Sequence, residues 1–184
     1  MSVHVDKLEK VKDVEKMIAT QTQTGQVSST EGLVKRAKVN ELARDYSRFA
    51  GGPLTKIVEM VYGKHTRVFI SKHFPERLVD RNFAKREDRL FMFKLLSYVF
   101  EKRGDILLKD VDLFVKFDTF AVMIYSEFRD GIQQIRLNTF LPVGDDYWVK
   151  PKNGRPIHSI EVKTSDLMGY VPCTLKKPEM VQFG

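Results

Sequence analysis

The periodicity of the apolar residues changes once along the chain, at Gly104-Asp105, and that change bounds the fold. Upstream, apolar residues recur every three or four positions; downstream they alternate. Leu113 to Phe117, Phe120 to Phe128 and Ile132 to Leu141 read as three strands. Asp118-Thr119 separates the first pair, and Asp130-Gly131 is a strong tight-hairpin signal between the second and third. Strands joined by such short turns run antiparallel. The predicted fold class is therefore α+β: N-terminal helices, then a three- to four-stranded antiparallel sheet. In the last strand Ile135, Leu137 and Thr139 alternate with Gln134, Arg136 and Asn138, giving one face to the core and one to water or a ligand.

The helical half divides at its glycines. With Thr30 as cap, a helix from Glu31 to about Phe49 places Val34, Leu42, Tyr46 and Phe49 near one face and ends at Gly51-Gly52. Pro53 suits the first turn of a second helix, which points Leu54, Ile57, Val58 and Val61 inward and stops at Gly63. Arg67 to Ser71 reads as a short strand. A helix from His73 to about Phe83 follows, with Phe74, Leu78 and Phe83 toward the core, and then one from Glu87 to Lys102 with Leu90, Phe91, Phe93, Leu95, Val99 and Phe100 on its apolar side. Ahead of all these, Val5 to Ala19 reads as a short charged helix, and residues 20–30 are polar, uncharged and without period, a flexible linker. The expected organisation is an arm and linker over 1–30, an α+β domain over 31–142, and an extended tail over 143–184 holding one more extended piece, Ile157 to Thr164.

Charge and cysteine content narrow the setting. Net charge is +7 over 184 residues, and the stretch from Lys56 to Arg103, with twelve Lys/Arg and six Asp/Glu, holds +6 of it. A polyanion partner is the natural reading of such a segment. The plainer reading is a solvated helical surface laced with local ion pairs, since acids interleave the bases. A single cysteine, Cys173, cannot form an internal disulfide, which fits a reducing cytoplasm. The first seven residues carry charges throughout and do not read as a signal peptide, and no apolar run is long enough to span a bilayer.

Within the basic segment, His73, Arg77 and Arg81 follow one another at intervals of four, which on a helix is one slowly drifting stripe. An imidazole moves protons near neutral pH, and a guanidinium grips phosphate with a fixed fork of donors. Together they are tools for holding or cutting a nucleic acid. The ordinary alternative is local pairing: Lys72 with Glu76 and Arg77 with Asp80 have ion-pair spacing on a helix.

The segment from about Val68 to Pro142 resembles the phage RegB-type endoribonucleases, which belong with the RelE-like fold among small metal-independent ribonucleases. The match rests on His73-x-x-x-Arg77-x-x-x-Arg81, on Ser71 two residues before it, and on the strand Ile135-Arg136-Leu137-Asn138-Thr139-Phe140-Leu141-Pro142. It covers less than half of the chain. The resemblance implies His73 and Arg77 as active-site groups, Arg81 as a phosphate or structural partner, mRNA as substrate, no metal or other cofactor, and a helper or ribosomal protein as partner. The chain departs from the family in one respect. The family has a second histidine on the following helix, and Leu90 to Tyr98 contains none. Lys94, Tyr98, His65 and His158 are the substitutes the sequence offers.

The corresponding chemistry drives an RNA 2′-hydroxyl onto the adjacent phosphate. It needs a base, an acid and positive charge for the phosphorane oxygens. His73 is the candidate base or acid, and Arg77 and Arg81 the charge stabilisers. Lys72, Lys85, Arg86, Arg89 and Arg136 are candidate backbone contacts, and Tyr125 is a candidate stacking platform. A competing class is a non-enzymatic binding or assembly protein, phage-structural or host-takeover in kind. A third reading takes Asp145-Asp146 with Glu161-Val162-Lys163 as a magnesium-dependent DNA nuclease site built on Asp146, Glu161 and Lys163. No Walker loop, dinucleotide fingerprint or zinc-spaced Cys/His cluster is present.

Overall fold

A computed structural model describes residues 30–143 and 156–175. The chain divides into two compact units, 1–41 and 42–184. The boundary falls inside helix α1 (Thr30–Phe49), so that helix begins in the first unit and ends in the second. The expected arm and linker lie outside the described residues, Thr30 excepted.

In the second unit α1 buries Leu42, Tyr46 and Phe49, spaced four and three apart. Val34, expected on that face, is exposed in the first unit. Gly51-Gly52 does not stop the helical path. A π-helical turn, Ala50–Leu54, carries it straight into α2 (Thr55–Tyr62). Proline inside a regular α-helix clashes with the carbonyl four residues back and lacks an N–H. Here the wider turn absorbs Pro53, while the backbone N–H and Oγ1 of Thr55 both donate to the Ala50 carbonyl, Oγ1 at 2.8 Å. Helix α2 buries Ile57 and Val58 but leaves Val61 exposed, and Gly63 caps it in the left-handed region at φ 62°.

Strand β1 (Thr66–Ile70) leads into α3 (His73–Asp80), which is shorter than expected. Asn82 adopts φ 54° and closes the helix. Its N–H donates to Val79 O at 3.2 Å, and that of Phe83 donates to Leu78 O at 2.8 Å. This double bond, with an apolar residue on either side, is a Schellman cap, and asparagine is the residue other than glycine that best tolerates its left-handed position. Helix α4 (Arg86–Arg103) follows, with Met92, Leu95, Leu96, Val99 and Phe100 buried and Leu90 exposed.

The strands β2 (Val111–Phe117), β3 (Phe120–Arg129) and β4 (Ile132–Pro142) form the expected meander. Asp118, Asp130 and Gly131 take the positive φ that two-residue hairpins require. A fifth strand, β5 (Ile157–Glu161), comes from the region read as tail. The sheet order is β1-β4-β3-β2-β5, with both edge strands parallel to their neighbours. The sheet is thus five-stranded and mixed rather than wholly antiparallel. Both edge pairings join strands far apart in the chain, where no hairpin dictates direction.

Alternating residues Leu113, Val115, Val122, Ile124, Ile135 and Leu137 face the helices in the main core. Each such side chain, fully buried, contributes roughly 1.5–3 kcal/mol. A smaller cluster on the other face holds Phe114, Ala121 and Met123. In β4 the alternation slips once. A bulge opposite Met123/Ile124 adds a residue at Asn138, so Phe140 rather than Thr139 enters the main core. The Asn138 carbonyl accepts from Ser71 Oγ at 2.5 Å, and Ser71 Oγ accepts from the Phe74 N–H at 3.2 Å, which fastens the start of α3 to the bulge. At the opposite end of the meander, Gln133 Nε2 donates to Ser126 Oγ (2.7 Å), which donates to Leu107 O (2.5 Å).

Two anchors hold α4. Tyr62 Oη donates to Glu101 O at 2.7 Å and accepts from the Gly104 N–H at 3.0 Å. The Glu101 carboxylate accepts from Tyr170 Oη (3.0 Å) and the Cys173 N–H (2.8 Å), which ties the C-terminal turn to the helix. Burial by itself would raise the Glu101 pKa. Hydrogen bonds from Cys173, Tyr170 and Lys102 outweigh it and hold the carboxyl below its ordinary range.

Replacing Gly104 by alanine tests the first anchor. An added Cβ would overlap Phe100 O and stand 2.5 Å from Tyr62 Cε2. The expected loss is about 1–3 kcal/mol in chemical denaturation. The second anchor has a pH signature. Because the folded pKa is depressed, its contribution is complete above the unfolded value of about 4.3 and is lost as pH falls through the folded one. Glu101→Gln should therefore melt lower than wild type at pH 6, with the gap closing toward pH 3; a gap independent of pH would contradict this.

Candidate nucleic-acid interface

The cations of the basic segment converge on the stretch from α3 to the start of α4. Phe74 and Leu78 turn one side of α3 into the core, and the opposite side carries His73 and Arg77. Lys72 precedes the helix, Arg81 is its C-cap residue, Lys85 caps α4 and Arg86 begins it. All five cations are exposed, and none of their side chains has an ion-pair partner among the described residues. Glu76 engages His73 instead of Lys72, with Nδ1 3.3 Å from Oε2. His73 itself is 70% exposed. The three-residue stripe is only partly realised, because α3 ends before Arg81, whose φ of −105° and ψ of 15° are not helical.

Two of the expected backbone contacts lie elsewhere. Arg89 is bound to Asp45, with side-chain exposures of 16% and 34%, and so joins α4 to α1 inside the second unit. Arg136 is on the sheet face opposite the helices, since its neighbours Ile135 and Leu137 face the main core. Its guanidinium lies 5.3 Å from the centre of the Tyr125 ring. Together with Phe69, Glu127 and Gln134 they line a hollow of about 80 Å³. A sheet separates this hollow from α3, and the Tyr125 ring face expected to stack a base is covered by Arg136.

No second acid–base group joins His73 from the four substitutes. His65 precedes β1 and His73 follows it, and a five-residue strand spans roughly 16 Å. His158 is on β5, at the other edge of the sheet from β1, four strand spacings or roughly 19 Å away. Lys94 lines an apolar cavity between α4 and the C-terminal turn, and Tyr98 packs edge-on against Tyr170 at 5.4 Å. Among the described residues the imidazole's polar partner is Glu76, which sequence reading assigned to Lys72. The signal that could have found it is the i, i+3 spacing of the pair.

At the third candidate site, Glu161 ends β5 and Lys163 caps the single-turn helix α5 (Thr164–Leu167), both exposed on either side of buried Val162. Asp145 and Asp146 lie outside the described residues. Among the described residues no group of three or more His, Cys, Asp or Glu could hold a metal ion, and no helix is long and apolar enough to cross a membrane. No family model, no curated protein and no solved structure matches the chain.

The Arg89–Asp45 pair has a structural consequence that separates it from the free cations. Arg89→Gln should lower stability by about 1 kcal/mol, since a partly buried pair is broken. Arg86→Gln, one turn earlier and unpaired, should leave the melting temperature unchanged.

Proposed function

We propose that this protein binds RNA along the cationic shoulder of Lys72, Arg77, Arg81, Lys85 and Arg86. One observation carries the reading: five exposed cations, with no ion pair among the described residues, lie within fifteen consecutive residues spanning α3 and the start of α4. Unpaired surface charge of one sign is what a phosphate backbone recruits, and the counterions it releases supply much of the affinity. Such contacts position a strand without reading its bases.

A second reading, metal-independent endoribonuclease, is favoured by the His73–Glu76 pair. A carboxylate beside Nδ1 can hold the ring proton on that nitrogen and free Nε2 to accept one, with Arg77 one turn on. That is the arrangement of a general base with a phosphate-holding arginine. Among the described residues none of the four substitute groups stands beside His73 as an acid for the leaving oxygen, and for that reason binding stands ahead of cutting. The RegB-type and RelE-like relationship belongs with this second reading.

Fluorescence anisotropy with a labelled single-stranded RNA tests the first. The variant Arg77→Gln/Arg81→Gln/Arg86→Gln should bind at least tenfold more weakly at moderate salt, and its log–log salt slope should fall by about 2, near 0.7 per contact removed. Unchanged affinity in a folded triple variant would overturn the proposal. Incubation of the same RNA in EDTA, beside His73→Ala, tests the second: fragments with cyclic phosphate ends from the wild type alone would establish cleavage at His73, and intact RNA would leave binding as the function.

A further inference from the structure

A cavity of about 530 Å³ opens on the far end of α4's exposed side. Three segments wall it: Arg48, Phe49 and Pro53 from the end of α1 and the π-helical turn; Leu90, Phe93, Lys94 and Ser97 from α4; and Pro172, Thr174 and Leu175 from the C-terminal turn. Phe49 and Phe93 stack within it, ring centres 4.1 Å apart and planes 16° from parallel. Its size is that of a pocket for a small organic molecule, about 300–1,000 Å³.

The polar groups of this cavity are few and unbalanced. Asp45 at its edge is neutralised by Arg89. Arg48 and Lys94 have no ion-pair or hydrogen-bond partner among the described residues. Ser97 adds one hydroxyl to the cavity lining. Two cations of separate helices on an apolar wall call for an anion attached to an apolar body. Walls on three sides favour a compact ligand over a long helix, which needs a groove open at both ends.

We infer that this cavity binds a small amphiphile bearing one carboxylate-type group, its apolar body over Phe49, Phe93 and Leu90, and its anionic end against Arg48 and Lys94. The third wall exists because Glu101 holds the Tyr170–Cys173 turn in place. The site is independent of the RNA-binding shoulder and uses none of its residues.

Dodecanoate, below its micellar concentration, is the probe, with dodecanol as the uncharged control. Isothermal titration should show one saturable dodecanoate site, with the methyl resonances of Leu90 and Leu175 moving on binding. Arg48→Gln/Lys94→Gln alters only solvent-accessible groups and should weaken dodecanoate by at least about tenfold, the loss of two charge-assisted contacts, while leaving dodecanol unchanged. Ser97→Leu should narrow the cavity and weaken binding of both alike. Absence of saturable dodecanoate binding, an affinity indifferent to Arg48→Gln/Lys94→Gln, or shifts confined to other methyl groups would each overturn the inference. So would capture of an acidic amphipathic peptide at this site by a protein that ignores dodecanoate.

Discussion

Helix α4 is the member on which the other parts depend. Its inner side, Met92, Leu95, Leu96, Val99 and Phe100, closes the core above the sheet. Its first turn is bound to α1 by Arg89 and Asp45, and its last to α2 and the C-terminal turn through Tyr62 and Glu101. A helix with one apolar stripe would need none of these polar ties to pack. Here they orient α4 so that its remaining side is left open, with Leu90 and Lys94 on it. The core below and the cavity above are thus two faces of the same helix, and the anchors at its ends decide where each begins.

Charge is handled in two different ways on this surface. Arg89 is spent on Asp45, and Arg136 lies over Tyr125, so both are settled within the protein. Along the shoulder from Lys72 to Arg86, two of the acids near the bases in sequence are engaged elsewhere. Glu76 turns to His73, and Asp88 accepts from the Lys85 backbone N–H at 3.1 Å as part of the α4 cap. Helix geometry thus draws Glu76 and Asp88 to a histidine and a helix cap, while five cations of the segment stay exposed.

How much of this was legible can be argued from single residues. Asp130-Gly131 foretold its hairpin, because only residues tolerant of positive φ fit a two-residue connection. Gly63 foretold the end of α2 for the same reason. Gly51-Gly52 misled: a glycine pair reads as a stop, but tertiary packing of Ala50 and Leu54 carried the helical path through a π-helical turn. Thr139 misled too, since a single inserted residue at Asn138 reverses which side of the strand faces inward. For the site, the cluster of cations could be counted from sequence, whereas the commitments of Arg89 and Arg136 could not. Their partners, Asp45 and Tyr125, are 44 and 11 positions away.

The sequence by itself determined the helix-then-meander class, the tight turns and the basic character of the segment around α3, because these depend on periodicity, backbone conformation and charge, all local properties. Tertiary structure decided the parallel edge strands, the burial or freedom of each arginine, the pairing of His73 with Glu76 and the existence of the cavity. Those depend on which distant segments meet, and neither strand direction across a long connection nor the neighbour of a surface charge is written in any short window of residues.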